Sequence, residues 1–64
     1  MTLEKARELL TVQINFGGGY NRNASRLILA EIQKFHGQEA VDQLIRELSL
    51  EQTFGFKPGT IFKI

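Results

Sequence analysis

From Leu3 onward the apolar residues recur with helical spacing. At about 100° per residue, Leu3, Ala6, Leu10 and Ile14 share one stripe, with Leu9, Val12 and Phe16 beside it. Glu4, Arg7, Glu8, Thr11 and Asn15 take the opposite side. This spacing predicts a first helix from Leu3 to about Ile14. Thr2 is placed to cap it, and Glu4 sits in the first turn, where the positive end of the helix dipole favours a carboxylate. The segment Thr11-Val12-Gln13-Ile14-Asn15-Phe16 also alternates polar and apolar residues, which is the period of a strand. Helix is preferred, because its stripe begins earlier and persists.

Gly17-Gly18-Gly19 breaks the first pattern, since glycine loses the most backbone freedom on ordering. A second helix is expected from roughly Ala24 to His36, capped by Asn21 or Asn23 and stopped by Gly37. Its apolar stripe reads as Ala24, Leu27, Ile28, Ile32 and Phe35. The third helix, about Gln38 to Leu48, has the cleanest stripe: Ala40, Val41, Leu44, Ile45 and Leu48. Opposite it stand Glu39, Asp42 and Arg46, with Asp42 and Arg46 spaced for an i,i+4 ion pair. Ser49 with Gln52 reads as a capping box for one further turn, ended by Gly55. Lys57-Pro58-Gly59-Thr60 carries a type II turn signature. Ile61-Phe62-Lys63-Ile64 is β-prone but too short to stand without a partner strand. The fold class expected is mainly all-α: a small three-helix bundle in one domain, residues 1–64, with an extra helical turn and an extended apolar tail.

Length makes this bundle marginal. A chain of 64 residues hides only about 60% of the surface it exposes when unfolded. Domains this small usually gain support from disulfides, a metal or a second chain. There is no cysteine and one histidine, which removes disulfides, thiolate ligands and a His-rich metal site together. No cofactor is expected. Self-association or a protein partner is therefore the expected source of support. The charged fraction of 23% is too low for a disordered tail, and a net charge of +1 is too balanced for a protein devoted to gripping phosphates. The longest apolar run, Leu27 to Ala30, cannot span a membrane, and the charged opening Met-Thr-Leu-Glu-Lys does not read as a signal peptide. A cytoplasmic location is the expectation.

Candidate chemistry is sparse. A glycine run entering a helix, Gly17, Gly18 and Gly19, exposes backbone N–H groups that suit an anion, and Tyr20, Arg22 and Arg26 would stand around it. Neither the dinucleotide nor the P-loop spacing is present, so a plain connector is the preferred reading. Glu31 projects into the middle of the expected apolar stripe of helix two. A buried carboxylate must find a partner or become neutral, and a structural acceptor is preferred over a proton-transfer acid. Leu29 is expected on the polar side of that helix, where it either stands alone or joins an interface. His36 before Gly37 suits a helix C-terminus. Phe54, Phe56 and Phe62 make the carboxy end greasy. They either close the open end of the bundle or form an interface.

These features favour a protein–protein interaction or accessory module that self-associates and has no catalytic activity of its own. The second reading is a nucleic-acid-binding module. Arg22, Arg26 and Lys34 against Glu31 give +2 over residues 20–34, and Lys57 and Lys63 add +2 at the tail, whereas residues 38–51 carry −3. If the Tyr20–Arg26 segment and the tail lysines converge, a basic patch forms. A third reading, an enzyme or anion binder built on the glycine loop, has the least behind it. The order helix, Asn15-Phe16-Gly17 loop, helix, short connection and a helix containing Val41-Asp42-Gln43-Leu44-Ile45 resembles ubiquitin-associated-type three-helix domains over residues 3–48. That resemblance implies the three-helix fold alone, because the Met-Gly pair of that family's loop is missing and the loop is longer.

Overall fold

A computed structural model describes residues 1–16 and 19–63, with residues 19 and 20 described by their backbone only. Four helices follow in order: α1 (Leu3–Phe16), α2 (Gly19–His36), α3 (Gln38–Glu47) and α4 (Leu50–Phe54), then an irregular segment to Lys63. The all-α expectation holds, and no strand occurs among the described residues.

Local chemistry explains most of the boundaries. Thr2 caps α1 by accepting the Lys5 N–H through Oγ1 at 3.0 Å. The alternating stretch at its end stays helical because Leu10 and Ile14 continue the packed stripe. Thr11 also returns its hydroxyl to the Arg7 carbonyl at 2.8 Å, inside the helix. Gly37 separates α2 from α3 at φ +91°, a conformation that favours glycine, and its N–H reaches the Ile32 and Gln33 carbonyls. Helix α2 begins at Gly19, five residues earlier than expected, so Asn21 and Asn23 lie within it and do not cap it. The capping box at Ser49 does not form. Ser49 adopts the left-handed conformation, φ +54°, with no side-chain cap, and so reverses the chain between α3 and α4. Gly55 ends α4 and Gly59 turns the tail, both at positive φ, and Thr60 N–H bonds to the Lys57 carbonyl as the turn signature requires.

Helix α1 packs against α2 with its start beside the end of α2. The Met1 ammonium meets Glu31 at 3.1 Å, and the Met1 carbonyl lies 2.9 Å from His36 Nε2. Arg7 pairs with Glu47 and ties α1 to α3. The core joins Ala6 and Leu10 from α1, Leu29, Ala30 and Ile32 from α2, and Val41, Leu44 and Ile45 from α3. Leu50, Phe54, Phe56 and Phe62 close it from the carboxy end. The Cα radius of gyration, 10.2 Å, is near the ~10.7 Å of a compact chain this long.

Two expectations need correction here. Leu29 is not on a polar side; it is fully buried and central to the core. The stripe assigned to helix two was rotated about the helix axis: Leu27 and Phe35 face solvent, and Ser25, Leu29 and Ile32 face inward. Helix α2 carries apolar residues around much of its circumference, so periodicity alone leaves its orientation open. The tail decides it, by lying along one side of the helix.

Candidate functional site

The aromatic tail does not form a free surface. Phe54, Phe56 and Phe62 are each at most 8% exposed. Phe56 packs edge-on to Phe62, with centroids 5.2 Å apart, and contacts Phe54 at 5.9 Å. Of the two readings of these rings, closure of the bundle describes the protomer. The interface expectation for them, and for Leu29, is corrected accordingly. Each is occupied inside its own chain.

Glu31 is also placed differently. Its side chain is 36% exposed and paired with the Met1 ammonium, so it is neither a buried acid nor an unpaired one. The cause is the same rotation of α2, which turns Glu31 outward between Leu27 and Phe35. Gly17, Gly18 and the Tyr20 side chain lie outside the described residues, and Gly19 is the first residue of α2. His36 is exposed, and no group of three His, Asp or Glu side chains is arranged to hold a metal among the described residues.

Arg22 and Arg26 do come together with the tail. Arg22 Nε donates to the Phe54 carbonyl at 2.9 Å, and its guanidinium lies 4.8 Å from the Phe56 ring centroid. Arg26 Nε donates to Asn23 Oδ1 at 3.3 Å, and Nη1 reaches the Lys63 carbonyl at 3.5 Å. Gln33 Oε1 accepts the Phe62 N–H at 3.4 Å. The tail thus lies along the Arg22–Arg26–Gln33 face of α2, whose members are spaced by one turn and then two. Two adjoining clefts, about 360 and 470 Å³, open between them and share Phe62 and Lys63.

The far side of the tail is latched to α3. Asp42 Oδ1 accepts the Gly59 N–H at 2.8 Å and Gln38 Nε2 at 2.9 Å, and Gln38 also donates to the Thr60 carbonyl. The Gly59 bond above all, then Gln38, holds the Asp42 carboxyl below its ordinary 3.8 against a smaller opposing desolvation, with the charge of Arg46 adding least. The expected Asp42–Arg46 ion pair is not formed. Asp42 turns instead to the tail, where a backbone N–H and an amide satisfy it directly. The local sequence offers only the Gln38–Asp42 i,i+4 spacing; the Gly59 partner lies 17 residues away.

A different apolar surface is left open. Phe16 is 76% exposed, Phe35 65%, Leu27 48% and Val12 42%. Val12 and Phe16 stand one turn apart on α1, and Leu27, Glu31 and Phe35 stand at successive turns of α2. All lie on the outward sides of the same antiparallel helix pair. The helical spacing of α2 alone points Leu27 and Phe35 toward the core, whereas both are exposed. The signal that could have found them is the double apolar stripe on α2.

Comparison with protein families, with curated proteins and with solved structures finds no match. No helix is long and apolar enough to cross a membrane among the described residues.

Proposed function

We propose that this chain is a small cytoplasmic interaction module, without catalytic activity of its own, that self-associates through the outward faces of α1 and α2. The observation behind this reading is the exposure of two phenylalanines, Phe16 and Phe35, with Leu27 and Val12 between their ends of the helix pair. Large apolar side chains left exposed along both helices of so small a protein suit a contact surface. Glu31, the one acid within the Leu27–Phe35 stripe, already has a cationic partner, so covering the stripe does not strand a bare charge.

A symmetric pair would lay two antiparallel helices of one protomer on the same two of another, a four-helix arrangement. Burying four phenylalanines across such an interface is worth roughly 6–12 kcal/mol gross. Association costs about 4–15 kcal/mol in lost freedom. The pair should therefore be weak and concentration-dependent. Sedimentation velocity from micromolar to millimolar protein tests it. A shift toward twice the protomer mass is expected, abolished in Phe16→Ser/Phe35→Ser. A wild-type chain that stays a monomer throughout overturns the reading.

A further inference from the structure

We propose that the groove between α2 and the carboxy-terminal segment binds the phosphate backbone of a single-stranded nucleic acid. The site adjoins the Phe16–Phe35 surface at Lys34, which lies over the Phe35 ring at 5.6 Å, but does not rest on self-association.

Among the described residues the groove is lined by four cations, Arg22, Arg26, Lys34 and Lys63, and by no carboxylate. Its acidic neighbours are engaged elsewhere. Glu31 pairs with Met1, and Asp42 is taken up by the Gly59 amide and Gln38 behind the turn. A net charge of +1 over the whole chain therefore conceals a local concentration of positive charge, because residues 38–51 hold most of the acids.

The arginines are also held in place. Arg22 spends one of its five N–H donors on the Phe54 carbonyl and rests its plane against Phe56. Its terminal nitrogens keep a rigid fork suited to two oxygens of one phosphate. Arg26 is steadied by Asn23 one turn earlier. The two guanidinium groups are offset by one turn of α2, about 6 Å along the axis. Arg22 to Lys34 spans about 18 Å of α2, room for three to four phosphates.

Single-stranded character follows from the tail. It walls the cationic face of α2, so this helix cannot enter a duplex groove as a recognition helix does. A strand can instead lie in the trough. The apolar rim, Ile61 at 66% exposure above the buried Phe62, would meet bases from the side, without base-specific hydrogen bonds. An acidic polypeptide offers the same kind of oxygen pairs and is the competing ligand.

The test is fluorescence anisotropy with labelled oligouridylate and oligodeoxythymidylate across a salt series. With three to four phosphates engaged, the slope of log K against log salt should be about −2 to −3. Lys34→Gln and Lys63→Gln should each weaken binding several-fold at low salt and lower the slope by roughly 0.7. The triple variant Arg26→Gln/Lys34→Gln/Lys63→Gln spares Arg22, which holds the Phe54 carbonyl. It should lose binding while its helical circular dichroism is unchanged. Absence of binding at low salt, or a folded triple variant that binds as wild type does, overturns the proposal. So does displacement of the strand by polyglutamate of equal charge, which would assign the groove to acidic polypeptides. So, too, does tighter binding of duplex than of single strand. Repeating the titration in Phe16→Ser, which leaves Lys34 over the Phe35 ring, separates this site from any effect of self-association.

Discussion

Five phenylalanines fall into two groups that differ in location and not in chemistry. Phe54, Phe56 and Phe62 sit in the last eleven residues and are buried among themselves and the helices. Phe16 is the last residue of α1, Phe35 the last but one of α2, and both are exposed to solvent. The tail is held by polar latches on both sides: Arg22, Arg26 and Gln33 from α2, and Gln38 and Asp42 from α3. No such latch covers the α1–α2 outer faces, where Lys34 over the Phe35 ring at 5.6 Å is the ring contact of Phe35 among the described residues. The contrast teaches that a greasy segment becomes core when its own backbone can be satisfied on the way in.

Substitutions should break this contrast in graded steps. Phe56→Ala removes a ring packed on two others and should cost about 3–5 kcal/mol, enough to unfold much of so small a domain in a denaturant titration. If Phe56→Ala melted like wild type, the closed tail would be wrong. Gly59→Ala should cost about 1–3 kcal/mol, because alanine at φ +90° is strained although no atom crowds its Cβ. The loss should appear as a lower unfolding midpoint.

Ser25→Ala is expected to act in the opposite direction. The Ser25 hydroxyl is fully buried on the inner face of α2 with no hydrogen-bond partner among the described residues. Removing it should raise stability by about 1 kcal/mol, read as a higher melting temperature. A destabilised Ser25→Ala would mean the hydroxyl is satisfied by water.

The latch at Asp42 gives a pH signature. Its pKa is depressed in the folded state, so its contribution is present above the ordinary value of 3.8 and is lost as pH falls through the lower folded value. Stability should decline below about pH 4. Asp42→Asn should flatten that part of the profile in acid titrations followed by circular dichroism. The smallest effect on stability belongs to the outer rings. Phe16→Ser and Phe35→Ser should each change the dilute protomer by no more than about 0.5 kcal/mol, while reducing self-association.

Much of the fold was legible in the residues. The stripes of α1 and α3, the Thr2 cap, the Gly37 stop and the turn at Lys57–Thr60 all follow from local spacing and backbone preference. What was not legible depended on distant partners. Leu29 was assigned to the wrong side because a helix with apolar residues around much of its surface has no unique inward face. Glu31 was assigned to the interior for the same reason. The basic groove was legible only as a condition, since Arg22 and Lys63 are forty-one positions apart in the chain.

By itself the sequence determined that the chain is helical, where α1 begins and where Gly37 parts α2 from α3, because a cap, a glycine and periodicity act within a few residues. The tertiary structure alone decided how α2 is turned, which phenylalanines are buried and which cations meet. Those outcomes depend on the tail packing against one side of α2. That side is chosen by the combined burial of three rings and a set of polar latches, contacts that form only when segments remote in sequence come together.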